Sequence, residues 1–248
     1  MKALLDELVS VYNVLDFIHE DPISVPHRFT KREDIEISGF FTATMAWGKR
    51  AQIIKSGLNL MSLMDNSPFD FVQHAGNIDL TRLKHFSHRT LNGEDVVALV
   101  RSLRHCYNTG GLQKAFFWQE GDSAFDSIQA FRNHIAFLLP KRTLKHISNP
   151  ESGSACKRLN MFLRWMVRKD NQSVDFGLWH HISTNALMIP LDVHTSRVAR
   201  KFKLLERKQN DRKAVEELTA RLRLLDPIDP VRYDFALFGL GVSERRVE

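Results

Sequence analysis

Three observations predict an all-α fold. Apolar residues recur at the three-to-four spacing of a helix face, strand-like alternation is nearly absent, and turn chemistry falls between the periodic stretches. The opening "MKALLDELVSVYNVLDFIHED" reads as an amphipathic helix with Leu4, Leu8, Val11, Tyr12, Leu15 and Ile18 on its apolar face. Asp6, Glu7 and Asp16 inside that pattern exclude a secretory signal. A helix follows over Asp34 to Trp47, and Ile53, Ile54, Leu58, Met61 and Met64 mark another. Gly93 to Tyr107 is helical and closes on the turn "NTGG" (Asn108 to Gly111); Ser123 to Leu139 forms the next helix. "NPESGS" (Asn149 to Ser154) is again turn chemistry and leads into a helix over Ala155 to Val167. Lys169 to Met188, "KDNQSVDFGLWHHISTNALM", mixes polar and aromatic residues without a period and reads as an irregular functional excursion. Helices over Thr195 to Leu205 and Arg212 to Leu225 follow, and Asp229 with Pro230 caps a last one over Pro230 to Phe238.

Composition narrows the class further. At 248 residues and 43% hydrophobic, the chain can fill a sizeable core. Its 35 Lys and Arg against 29 Asp and Glu give +6, which favours a polyanionic partner such as nucleic acid. Cys106 and Cys156 are too few for a disulfide scaffold, a four-cysteine zinc site or a four-cysteine iron–sulfur cluster. A cytoplasmic protein is expected, with no membrane span, no internal repeat and one non-repetitive body.

Two places carry chemistry. Lys157 follows the small residues Ser152-Gly153-Ser154-Ala155-Cys156 and opens a helix whose apolar face uses Leu159, Phe162, Leu163 and Met166. The helix dipole and desolvation there both disfavour an ammonium, which favours the neutral amine that a nucleophile requires. Asp192, after Pro190 and Leu191, stands at the start of a basic helix, where a rigid carboxylate can stabilise a sugar cation.

These residues resemble the helix-hairpin-helix DNA glycosylases, a superfamily that includes endonuclease III, the adenine glycosylase of mismatch repair and the 8-oxoguanine glycosylases. "PLDVHTSRVARKF" (Pro190 to Phe202) is similar to the family's proline, apolar residue, catalytic aspartate and following helix, with Asp192 at the aspartate. "SGSACK" resembles the hairpin turn and Schiff-base lysine, with Gly153 at the first hairpin glycine and Lys157 at the lysine. "DIEISGFFTATMAWGKRAQIIKSGLNLM" (Asp34 to Met61) is similar to the helix pair whose joint enters DNA. "FSHRTLNGEDVVALVRSLRHCY" (Phe86 to Tyr107) and "YDFALFGLGVS" (Tyr233 to Ser243) resemble the approach to the central helix and the last core helix. The chain departs from the pattern in reading Ser152-Gly153-Ser154-Ala155 where the family has two glycines. It also spaces Lys157 and Asp192 by 35 residues, longer than in the endonuclease III type, in a segment that the archaeal 8-oxoguanine glycosylase branch also enlarges, and carries no cluster cysteines after Ser243. The whole chain is also similar to a bacterial family without assigned function.

The resemblance implies two helical lobes with a cleft between them, one over about 30–150 and the other over 151–248 together with the N-terminal helix 1–29. It implies a monomeric glycosylase and AP lyase that flips an oxidised purine such as 8-oxoguanine out of damaged duplex DNA, with no cofactor, metal or iron–sulfur cluster. Lys157 and Asp192 are the implied catalytic pair. Gly153, Ser154, Ala155, Trp47, Lys49, Arg50, His194, Arg197, Arg200 and Lys201 are the implied DNA contacts, with Lys203 on the same basic face. Phe117, Trp118 and Trp179 are aromatic candidates for stacking on a base.

Plainer roles stand beside these. Asp192 can be an N-cap alone, Lys157 a solvated lysine, Arg197 to Lys203 a solvated face, and Trp47 and Phe41 core residues. Two rival functions are a catalytically inactive nucleic-acid-binding protein of the same fold, and a metal-dependent hydrolase using His180, His181, Asp192 and His194.

Overall fold

The computed structural model describes residues 1–247, and is mainly helical, with 63% of residues in helices and 2% in strands. In chain order the helices are α1 (Lys2–Tyr12), α2 (Asp16–His19), α3 (Arg32–Thr44), α4 (Arg50–Leu63), α5 (Pro68–His74), α6 (Asn77–Leu83) and α7 (Gly93–Asn108). They continue with α8 (Leu112–Ala115), α9 (Ala124–Ala136), α10 (Lys141–Leu144), α11 (Lys157–Val167), α12 (Val193–Lys201), α13 (Arg212–Leu225) and α14 (Tyr233–Val247). Strands β1 (Ser87–His88) and β2 (Leu91–Asn92) pair antiparallel, Ser87 opposite Asn92 and His88 opposite Leu91. No helix among the described residues is long and apolar enough to cross a membrane.

The chain divides into two compact units: Met1–Phe17 with Trp118–Ile128 and Asn149–Glu248, and Ile18–Phe117 with Gln129–Ser148. Residues 18–29 therefore belong with the middle helices rather than with α1, and Trp118–Ile128 with the C-terminal ones.

In the middle unit, capping fixes the long helix α7. Asn92 Oδ1 accepts from the Asp95 amide at 3.0 Å, and Asp95 Oδ2 accepts from the Asn92 amide at 3.1 Å. Gly93 is required at the helix start, since a Cβ there would lie 2.2 Å from the Leu83 carbonyl oxygen. The "NTGG" turn ends the helix, with the Gly111 amide donating to the Cys106 carbonyl at 2.9 Å. The core includes Phe40, Phe41, Phe116 and Phe131, with Phe116 stacked on Phe131 at 4.1 Å.

The unit formed by the two chain ends is built around α11, whose residues Leu159 to Val167 are all buried. The irregular segment after it folds back on its end. The amide of Phe176 donates to the Trp165 carbonyl at 2.8 Å and that of Trp179 to the Met166 carbonyl at 2.8 Å, satisfying the orphan acceptors of the last turn. Two glycines let neighbours approach α14. A Cβ on Gly239 would lie 2.3 Å from the Tyr12 ring of α1, and one on Gly241 would lie 2.9 Å from the His194 carbonyl oxygen of α12.

Several boundaries differ from the periodic reading. The N-terminal helix stops at Tyr12, where Asn13 leaves helical geometry and its side chain donates to Asp170 at 2.6 Å. Its buried face is Leu5 and Val9, whereas Leu4, Val11 and Leu15 are exposed, so the packed stripe lies one residue along from the expected one. Helix α11 starts at Lys157, because Cys156 has φ 48° and breaks helical geometry before it. Helix α12 starts at Val193 behind its cap and ends at Lys201, with Lys203 left-handed at φ 58°. Pro230–Arg232 forms a 3-10 turn, and the last helix runs past Phe238 to Val247. The short helices α2, α5, α6, α8 and α10 and the β1–β2 hairpin have too few residues to display a period.

Candidate active site

The sequence builds the lysine's position from a turn. Asn149 Oδ1 accepts from the Glu151 amide at 3.1 Å and opens a 3-10 turn, Pro150–Ser152, that ends on Gly153 at φ 80°. Gly153 meets nothing within 4 Å where a Cβ would be; its need is conformational, a left-handed residue after the turn. Ser154 Oγ then accepts from the Cys156 amide at 3.2 Å. The buried Asn160 ties the turn to the helix, its Nδ2 donating to the Ala155 carbonyl at 3.0 Å, and among the described residues its Oδ1 has no hydrogen-bond partner. Lys157, the first residue of α11, is half-buried.

Asp192 is the N-cap of α12. Its Oδ1 accepts from the amides of His194 at 2.8 Å and Thr195 at 2.9 Å, so two orphan donors and the helix dipole hold a carboxylate there. The half-buried side chain is thereby fixed in one orientation.

A third residue, a second acid, joins this pair, one that sequence reasoning did not single out. Asp234, in the first turn of α14, is buried; its Oδ1 accepts from Thr195 Oγ1 at 3.2 Å and its Oδ2 pairs with the buried Arg164 guanidinium. Burial pushes the Asp234 carboxyl up to about 6; Arg164 opposes that rise, the Asp192 carboxylate adds to it, and the Lys157 ammonium opposes it. Lys157 and Asp192 thus act electrostatically on one buried carboxyl group. Arg164 stands two helical turns beyond Lys157 on α11, and its Nε also donates to Asp175 at 3.2 Å. Its signal in the sequence is a charged residue inside the apolar run "LNMFLRWM", where burial demands a counter-charge.

The other predicted residues occupy varied environments. His194 Nδ1 lies 3.1 Å from the Gly241 carbonyl, and its ring meets Phe238 edge-on. Arg197 donates to the same carbonyl at 2.8 Å, and Lys201 pairs with Glu244 at 2.6 Å. Arg200 directs its guanidinium at the carbonyls of Arg207 and Lys208, at 2.7 and 2.9 Å from Nη2, and so organises the loop after α12. In the middle unit, Trp47, Lys49 and Arg50 lie at the joint between α3 and α4, Lys49 exposed and the other two half-buried. Arg89, left-handed at φ 54° in the β1–β2 turn, places its guanidinium 5.8 Å from the Trp47 ring centroid and against Gly48, an aromatic–basic pairing absent from the sequence pattern.

Among the aromatic candidates, Trp179 is fully buried edge-on against Phe162 and presents no face to a base. Trp118 is half-buried and donates to the Asp122 carbonyl at 2.8 Å; Phe117 is exposed. Among the described residues no group of three or more His, Cys, Asp or Glu could hold a metal ion, so His180, His181, Asp192 and His194 do not form a ligand set. Phe41 is a core residue.

No curated protein and no solved structure matches the chain. A family model described as "Protein of unknown function (DUF2400)" matches residues 21–243. Because that match leaves out only the first 20 and the last five residues, the chain belongs to the DUF2400 family.

Proposed function

We propose that this protein is a DNA glycosylase with AP lyase activity, acting on an oxidised purine such as 8-oxoguanine. The observation that carries the reading is that a lysine at the start of α11 and a capped carboxylate at the start of α12 both act electrostatically on buried Asp234. A half-buried amine and a fixed, oriented anion are what glycosidic-bond cleavage through a covalent intermediate needs.

In the proposed reaction the Lys157 amine attacks the anomeric carbon as the bond to the base breaks, and that bond's electron pair leaves with the base, which is then protonated. Asp192 stabilises the positive charge that develops on the sugar. Opening of the sugar ring gives a Schiff base between Lys157 and the former anomeric carbon. Loss of a proton from the adjacent carbon then expels the 3′ phosphate by β-elimination.

Borohydride trapping on duplexes carrying 8-oxoguanine or an abasic site tests this, because hydride reduces the Schiff base to a stable amine. A covalent adduct formed by the wild type, and lost in Lys157→Gln, supports the lyase. No adduct on either duplex rejects it, and duplex binding that persists without an adduct favours the inactive binding protein, whose hairpin carries Ala155 in place of the second glycine.

A further inference from the structure

Positive charge is concentrated in one stretch. Residues 201–213, "KFKLLERKQNDRK", hold six basic and two acidic residues, a surplus of four in a chain whose net charge is +6. The loop is rigidly built by arginines. Arg200 holds the Arg207 and Lys208 carbonyls and, at 2.6 Å, Asn210 Oδ1; Arg221 donates to the Lys203 carbonyl at 2.6 Å. Asn210 Nδ2 also donates to Ser196 Oγ of α12 at 2.9 Å.

The acids of this region are already engaged. Glu206 pairs with Arg221 at 2.6 Å, Asp211 with Arg207, and Glu216 with Arg212 at 2.8 Å. Glu217 accepts from the Glu206 amide at 2.7 Å and lies 3.8 Å from Arg221. Lys203, Lys208 and Lys213 are exposed, and among the described residues no carboxylate neutralises them. The Arg212 amide donates to the Gly153 carbonyl at 2.9 Å, so the lysine-bearing loop is fastened to the turn that precedes Lys157.

We infer that Lys203, Lys208 and Lys213 form a phosphate-binding surface that extends the hairpin and holds the duplex backbone beside the Lys157 site. The inference rests on the duplex-DNA part of the proposed function and not on its chemistry. Lysine suits the task, because a compact ammonium on a flexible stem contacts phosphate as a point charge, while the arginines of this loop hold its backbone. Because the loop is ordered by internal bonds, little backbone entropy is lost on binding.

The test measures the affinity of the full-length chain for an undamaged duplex from 50 to 200 mM salt, for the wild type and for the triple variant Lys203→Gln, Lys208→Gln, Lys213→Gln. Each phosphate contact contributes roughly 0.9 to the slope of log K against log salt, so the triple variant should lose about 2–3 from that slope. Over this range the wild type should weaken about 40-fold more than the variant. The control variant Lys31→Gln, an exposed lysine of the middle unit that lies over the Phe69 ring, should keep the wild-type slope to within about one contact. An unchanged slope in the triple variant, or a wild type that does not bind duplex, overturns the surface. The expected drop in slope for the triple variant, together with absence of a borohydride adduct, would retain the surface and reject the lyase.

Discussion

Thr195 joins two carboxylates that lie far apart in the chain: its amide donates to Asp192 at 2.9 Å and its hydroxyl to Asp234 at 3.2 Å. One residue in the first turn of α12 therefore serves both the half-buried and the buried acid of the site. Thr195→Val keeps the shape and the cap but removes the hydroxyl, leaving a buried carboxyl oxygen without that donor. Such losses cost about 1–3 kcal/mol. Urea unfolding should show that deficit for Thr195→Val, and Thr195→Ser should restore most of it. Equal stability of the valine variant would mean that the hydroxyl contributes nothing.

Asp234 should make stability fall as pH rises through mildly acidic values. Its carboxyl is raised by burial from an ordinary 3.8 to about 6 in the folded chain. Between those two values the unfolded chain has released the proton and the folded chain still holds it, so the folded state loses relative stability until about pH 6. Asp234→Asn cannot ionise and lacks this slope. Relative to the wild type, the variant should gain up to roughly 3 kcal/mol between pH 4 and pH 7 in urea titrations. A difference that does not change with pH would show that Asp234 titrates normally.

Much of the helical order was legible because it is local. Helix α13 begins and ends where the pattern places it, behind the Asp211 cap whose Oδ1 accepts from the Ala214 amide at 3.1 Å. Asp192 was legible for the same reason, an acid immediately before two helix amides. The packed face of α1 was not. Leu4 and Leu5, and Leu8 and Val9, are adjacent apolar pairs that draw two stripes, and only the approach of Tyr12 to Gly239 on α14 selects one. Nor was the meeting of Arg164 with Asp234, which joins helices 70 residues apart. Lone Gly and Ser residues in "SGSACK" marked a turn, but the left-handed Cys156 that sets the start of α11 is not a residue type that favours positive φ.

Two substitutions at Asp192 separate its roles. Asparagine caps a helix nearly as well as aspartate and carries no charge, so Asp192→Asn should unfold within about 0.5 kcal/mol of the wild type. Asp192→Ala abandons both amides and should lose about 1 kcal/mol. Both variants should fail to form a borohydride adduct if the charge stabilises the sugar cation, and both should lower the pH at which Asp234 titrates, since the Asp192 charge raises it. An asparagine variant that forms adduct at the wild-type rate would reduce Asp192 to a cap.

At the far end of α11, Arg168 anchors the irregular segment by charge. Its buried guanidinium bonds Asp170 at 2.6 Å, Asp229 at 2.8 Å and Asp175 at 3.1 Å, and Asp175 is shared with Arg164. Removing one member of such a cluster leaves its partners charged in a medium that solvates them poorly, which costs about 3–5 kcal/mol. Arg168→Met, which conserves most of the volume, should lower the urea midpoint accordingly. Burial already raises the Asp229 carboxyl, and loss of the guanidinium that opposes this rise moves it higher still. The variant's deficit should therefore shrink on acidification, as Asp229 takes up a proton and the buried charge disappears. A deficit below about 1 kcal/mol at neutral pH would show that water solvates the aspartates as well as Arg168 does, and that the segment after α11 is held by the backbone bonds of Phe176 and Trp179 instead.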